Sequence, residues 1–161
     1  MKLDIFDQKI LEALQGDGRL SSQALAERVG LSTSPCWRRV RRLEEQGVLR
    51  ATVALVDAER VGLMVTALAM VTLEDHHPDS VQEFTRMVDE RPEILECHAT
   101  SGQHDYTLKV VCESIHAYDD LLSRWIMPCK AVHMVNTSFV LRSTKNTTAL
   151  PVRSRDPVHG T

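Results

Sequence analysis

The chain has 161 residues, 43% of them apolar and 25% charged, with Lys plus Arg 19 against Asp plus Glu 22 and a formal net charge of −3. That composition is one of an ordinary globular protein and excludes disordered, collagen-like and fibrous classes. The longest apolar stretch, Leu63 to Leu73, is too short for a membrane helix and is interrupted by Thr66 and Thr72.

The four cysteines (Cys36, Cys97, Cys112 and Cys129) contain no C-x-x-C pair, so reduced thiols are expected rather than a disulfide or zinc framework. No charged-then-apolar leader follows Met1, and a cytoplasmic location is expected. The net charge disfavours DNA only until it is located. Residues 1–62 hold 10 basic and 9 acidic side chains, residues 63–161 hold 9 and 13, and Arg38, Arg39, Arg41 and Arg42 fall within five positions. The basicity is local.

In chain order, Asp4 caps a first helix carrying Phe6, Ile10 and Leu14, which Gly16-Asp17-Gly18 stops. Ser21 or Ser22 opens a second helix with Leu25, Ala26 and Val29 on one side, ended by Gly30. After only Gly30-Leu31-Ser32-Thr33, Ser34-Pro35 opens a third helix that runs to Gln46, with Gly47 as its stop. Two short helices around so tight a turn are the helix-turn-helix pattern. On the third helix Cys36, Val40 and Leu43 form a core stripe with Trp37 at its border. Ser34, Arg38, Arg41 and Arg42 lie opposite, and Arg39 lies at a flank. Such a helix suits the major groove, where guanidinium groups bind phosphates or guanine edges.

Four clustered arginines also suit a solvated face, since Glu44 and Glu45 are placed to pair with Arg41. The preceding turn decides for DNA, with Ser32, Ser34, Pro35, Arg38, Arg39, Arg41 and Arg42 as candidate contacts. Val48 to Val56 is β-branched and reads as a short strand or wing from which Arg50 reaches a phosphate, and residues 57–62 read as a hinge.

Beyond the hinge the pattern is strand (63–73), helix capped by Pro78-Asp79-Ser80 with a Ser80/Glu83 capping box, strand (94–101), strand (106–112), helix from Ser114 to before Pro128, and strand (134–141). Val81, Phe84, Met87 and Val88 form the apolar positions of the first of these helices, and Ile115, Tyr118, Leu121, Leu122 and Trp125 those of the second. The fold class is therefore α+β: a winged helix-turn-helix (1–56), then a ferredoxin-like βαββαβ sandwich (63–150) and a mobile tail (151–161). Both helices cover one sheet face, so the other is expected to pair with a second copy.

Ser34 to Glu44 (SPCWRRVRRLE) resembles the P-C-x-x-R-[VIL]-x-x-L-E segment of the Lrp/AsnC, or feast/famine, family of transcription regulators. Ser101 to Tyr106 (SGQHDY) resembles its second signature, G-x-[aromatic]-D-Y. The resemblance spans roughly residues 2–151. It implies a DNA-binding regulator with an amino-acid effector held between dimers, dimers that assemble into octamers or similar rings, and no cofactor. It also implies effector contacts at Thr100, Ser101, Gly102, His104, Asp105, Tyr106, Val135 and Thr137. Asp105 then either pairs with an amino group or fixes the turn. His104 departs from the family's aromatic or large apolar residue, which implies a polar or thiol-bearing effector or some pH sensitivity. The third helix and its following segment are most similar to a subgroup that includes cysteine-responsive regulators.

Siroheme decarboxylases resemble the same architecture and form the enzyme alternative, against which the four arginines weigh. No catalytic or metal site is expected. Ser101, His104 and Asp105 are too crowded in one loop for a triad, Cys97 and His98 alternate across a strand, and His76-His77 read as exposed loop residues.

Overall fold

The computed structural model describes residues 2–154 and divides the chain into two compact units. One is built from residues up to Leu55 with the segment from Lys145, the other from Val56–Thr144. No helix among the described residues is long and apolar enough to cross a membrane.

The first unit contains α1 (Ile5–Gly16), α2 (Ser22–Val29) and α3 (Thr33–Glu45). Asp4 caps α1, its Oδ1 accepting the amides of Phe6 and Asp7. Ser21 caps α2, which ends at Gly30 in the left-handed region, φ 76°. Helix α3 starts two residues earlier than the Ser34-Pro35 signal suggests. Ser32 occupies the cap without a side-chain hydrogen bond and Pro35 becomes the third helical residue, where its missing N–H costs nothing because first-turn amides have no intrahelical acceptor. Gly47 at φ 67° closes α3, and the amides of Val48 and Leu49 both return to the Leu43 carbonyl. Ile10, Leu11, Leu25, Ala26, Val29, Cys36 and Leu43 form the core.

Three expectations need correction here. Val48 to Val56 forms no strand; residues 50–57 belong to no helix or strand and have no ladder partner among the described residues, and β-propensity alone does not make a strand. The segment does pack locally. A Cβ on Gly18 would stand 2.6 Å from Thr52 Cγ2, which explains the glycine. The boundary at residue 150 also moves: residues 145–154 belong with the first unit. There the Leu150 amide donates to Gln15 Oε1 (2.6 Å), Gln15 Nε2 donates to the Leu150 carbonyl (3.1 Å), and the Ser154 amide donates to Gln8 Oε1 (2.8 Å). Val152 packs on the three-helix core, so residues 151–154 are held, and the rest of the expected mobile tail lies outside the described residues. The signal was weak because the strap is anchored by glutamines 135 and 146 residues away in sequence.

The second unit opens with a 3₁₀ turn (Glu59–Val61). It continues β1 (Val65–Leu73), α4 (Pro78–Asp89), β2 (Ile94–Ala99), β3 (Tyr106–Cys112), α5 (Ile115–Leu121) and β4 (Val132–Phe139). The sheet order is β2-β3-β1-β4 with every neighbouring pair antiparallel, the arrangement expected of βαββαβ. Alternate residues Ala67, Ala69, Val71, Leu108 and Val110 meet Phe84, Val88, Tyr118, Leu121 and Ile126 in one core. The opposite sheet face carries Leu68, Met70, Met134 and the Lys109–Glu96 ion pair, and neither α4 nor α5 covers it.

Helix α4 does not use the Ser80/Glu83 box. His77 is its cap and Pro78 its first residue, a position where proline's fixed φ suits the helix. Helix α5 widens into a π turn over Leu122–Ile126, and this swings Trp125 out of the apolar stripe to 45% exposure. There its ring receives the Arg91 guanidinium at 3.5 Å.

Truncation after Thr144 is expected to destabilise the helical unit by about 1–3 kcal/mol, from the lost Val152 burial and strap hydrogen bonds. Denaturant unfolding of the truncated and full chains measures it; coincident midpoints would contradict the strap's role.

Candidate functional site

Helix α3 presents two kinds of arginine. At about 100° per residue, Ser34, Arg38 and Arg41 share the side opposite Cys36, Val40 and Leu43. Arg38 and Arg41 are exposed, and among the described residues Arg38 has no carboxylate partner. Arg41 pairs with Glu44, at 3.7 Å, and lies 5.7 Å over the ring of Trp37, itself 53% exposed. Ser32, Ser34 and Arg50 are exposed and Pro35 is half-buried.

Arg39 and Arg42 differ, and the placement of Arg42 on the free face is corrected. Arg39 Nη1 donates to Asp4 Oδ2 (2.6 Å) and Asp7 Oδ1 (2.8 Å), and its guanidinium lies 5.4 Å from the Phe6 ring. Arg42 Nη2 donates to both Asp7 oxygens at 2.6 Å. Asp7 is 1% exposed, and its Oδ2 also accepts the Asp4 amide at 3.2 Å. Burial pushes the Asp4 carboxyl up, but the Asp7 amide and the Arg39 guanidinium outweigh it and hold the group below its ordinary value. Sequence reasoning missed Asp7, although an acid three residues before Ile10 and seven before Leu14 sits on the buried stripe and needs a partner.

In the second unit the loop between β2 and β3 is drawn together by its own hydrogen bonds. The Thr100 amide donates to the Asp105 carbonyl (2.9 Å) and its hydroxyl to the His104 carbonyl (3.0 Å), around Gly102 at φ 134°. Asp105 is the anchor. Its amide donates to the Val71 carbonyl (2.9 Å), its Oδ2 accepts the Leu73 amide (2.8 Å), and its Oδ1 meets His76 Nε2 (2.7 Å). His104 Nδ1 lies 3.2 Å from the Thr72 hydroxyl.

Thr100, His104 and Asp105 are thus brought together with Tyr106, whose ring lies 4.7 Å from that of Phe84 and tilted by 44°, while Ser101 and Gly102 stay exposed at the tip. Val135 shares a row with Tyr106 through their common partner Val71, but it packs into the helix-covered core. Thr137 lies two residues further along β4 with its hydroxyl bonded to Tyr118, away from the loop. Strand register puts Cys97 opposite Leu108 and His98 opposite Thr107, on different faces. Among the described residues Ser101, His104 and Asp105 form no serine–imidazole–carboxylate chain: the Asp105 carboxylate is bound to Leu73 and His76, and the His104 ring meets Thr72. His76, read from sequence as an exposed loop residue, is therefore part of the site; only the fold brings it to a partner 29 positions away.

Residues 3–50 match the family described as winged helix-turn-helix DNA-binding, and residues 66–150 the one described as Lrp/AsnC ligand binding domain. The chain belongs to the Lrp/AsnC family. The DNA-binding transcriptional activator DecR of Escherichia coli (strain K12) is 39% identical over 150 residues, 93% of this chain and 99% of that one. The leucine-responsive regulatory protein of Salmonella typhimurium is 37% identical over 153 residues, 95% of this chain and 93% of its own.

A Neisseria meningitidis transcriptional regulator solved with L-Met has a TM-score of 0.90 to this chain, with 38% identity over 92% of it and 96% of that protein. An AsnC family regulator from Agrobacterium tumefaciens gives 0.88 at 40% identity over 92% and 97%.

In this Lrp/AsnC chain the ligand-domain loop carries a protonation-dependent latch. The hydrogen bond with Asp105, and then that carboxylate's charge, push His76 above its ordinary pKa; the same bond and the Leu73 amide push Asp105 below its own. A raised imidazole gives its contribution fully below about pH 6.5 and loses it as the pH climbs through the raised value. A depressed carboxylate gives its contribution above about pH 4 and loses it only in acid. The latch is then strongest between about pH 4 and 6.5. Hydrogen exchange at the Leu73 amide, corrected for intrinsic rate, is expected to speed up above that window in the wild type and to show no such step in His76→Gln. A flat wild-type profile would contradict the latch.

Proposed function

We propose that the protein is a sequence-specific transcriptional regulator whose first unit reads DNA through α3 and whose second unit binds an amino acid at the loop spanning Thr100 to Tyr106. The observation that carries the DNA half is the outward pair Arg38 and Arg41 beside Ser34, opposite the core stripe of Cys36, Val40 and Leu43. Ser32, Ser34 and Pro35 bring the first turn of α3 to the base edges, Arg38 and Arg41 bind phosphate or guanine, and Arg50 reaches phosphate from the extended segment. Arg39 and Arg42 hold α3 against α1.

The effector half is supported by the turn at Gly102, whose backbone lets a carboxylate approach, and by the L-Met complex of the Neisseria meningitidis regulator. With its carboxylate already bonded, Asp105 fixes the turn rather than the ligand's amino group. The sheet face left open by α4 and α5 supports a dimer, which sets two recognition helices about one DNA turn (~10 bp) or a multiple apart. Assembly of dimers into an octamer or similar ring would place the loop between them. The relatives named above are regulators, and the decarboxylase reading has no support from them.

The test is duplex binding across a salt series, using a site selected from a randomised pool by the wild-type protein, with and without each of the twenty amino acids. Arg38→Ala/Arg41→Ala is expected to weaken binding and to flatten the dependence of log K on log salt by about 0.9 per lost phosphate contact. At least one amino acid is expected to shift the wild-type affinity about 5- to 150-fold. An unchanged affinity and slope in the double variant, or no response to any amino acid, would contradict the respective half.

A further inference from the structure

Arg42 lies on the flank of α3, between the outward face and the side turned to α1. Its side chain is 44% exposed, and its guanidinium is held by both oxygens of a carboxylate that is itself 1% exposed. Arg39 is turned further toward α1 and is shared between Asp7 and Asp4. Two carboxylates and two guanidiniums thus form a neutral quartet, which removes half of the arginine charge of α3 from its surroundings.

For a DNA-reading helix the consequence is specific. A free arginine beside the groove binds any phosphate, and phosphate contacts raise affinity for every sequence alike, while discrimination comes from the base edges. A helix with four free arginines would gain random binding faster than selective binding.

We propose that Asp7 is a positioning residue that sets the DNA specificity of this protein by withholding Arg42, and with Asp4 Arg39, from the phosphate backbone. This rests on the DNA-binding reading above and deepens it. Asp7 touches no DNA; it acts through the arginines it holds. A carboxylate that merely braces α1 against α3 would also cost stability when removed, but it would not make the protein bind random DNA more tightly.

The test uses the full chain, a random-sequence 40-bp duplex and the duplex selected by the wild type, each across a salt series. Asp7→Asn keeps the side-chain shape and one acceptor but loses the charge. It is expected to bind the random duplex more tightly, with a salt slope steeper by about 0.9 for each arginine released. The affinity ratio of selected to random duplex is expected to fall. Arg42→Gln is expected to leave the wild-type salt slope unchanged, and adding it to Asp7→Asn should remove the part of the gain that Arg42 supplies.

A folded Asp7→Asn protein with an unchanged or shallower slope on the random duplex overturns the proposal. So does an Arg42→Gln slope shallower than wild type by about 0.9, which would mean Arg42 already sits on a phosphate. Should Asp7→Asn fail to fold, the Arg42→Gln slope decides alone: unchanged supports withholding, shallower refutes it. Wild-type protein that binds neither duplex would instead overturn the DNA-binding reading, and the proposal with it.

Discussion

One buried carboxylate decides how α3, the proposed DNA-reading helix, is presented. Asp7 receives Arg39, Arg42 and the Asp4 amide, so α1 and α3 are locked by charge as well as by the apolar stripe of Ile10, Cys36 and Leu43. An ionised group this deep is tolerated only when its lone pairs are used, and here both oxygens are. Breaking such a pair costs about 3–5 kcal/mol when fully buried. The half-exposed Arg42 places this quartet toward or below the lower end of that range. What the constraint leaves free is as informative as what it holds: Arg38 and Arg41 project from the same helix without a buried partner.

The second unit uses a carboxylate in a related way. Asp105 ties the β2–β3 loop to the end of β1 through Val71 and Leu73, and to the segment entering α4 through His76. The glycine at 102 supplies the turn and the aspartate supplies the anchor, so the loop tip is exposed while its base is fixed. In the amino-acid-binding role proposed above, a loop fixed at its base in this way lowers the entropy a ligand must offset. The His76 contact adds an imidazole that the Asp105 carboxylate holds above its ordinary pKa to an otherwise static anchor.

Much of this was readable from the residues. The caps Asp4, Ser21 and Ser114, the left-handed Gly30 and Gly47, and the core stripe of α3 follow local rules that depend on neighbours three or four positions away. The βαββαβ order followed from alternating and helical periods in turn, and the sheet order came with it. Contacts made across the fold were harder to read. The pairing of Asp7 with Arg42 spans 35 positions, that of Asp105 with His76 spans 29, and the Leu150–Gln15 strap spans 135. Of these only Asp7 left a trace, as an acid inside an apolar stripe. The misplaced α4 cap has a different origin: Ser80 and Pro78 are both good helix-start residues two positions apart, and proline at the first helical position prevailed. The expected strand at residues 48–56 failed because composition cannot supply a ladder partner.

The account stands on a division of labour among the four arginines of α3. Nitrogen-detected NMR of guanidinium groups, each assigned by single Arg→Lys substitution, observes that division directly as a selected duplex is added. The Arg38 and Arg41 signals are predicted to shift and slow in exchange with water, while Arg39 and Arg42, already bound to Asp4 and Asp7, keep their free-protein positions. Large duplex-induced shifts at Arg39 or Arg42, with Arg38 and Arg41 unmoved, would contradict it.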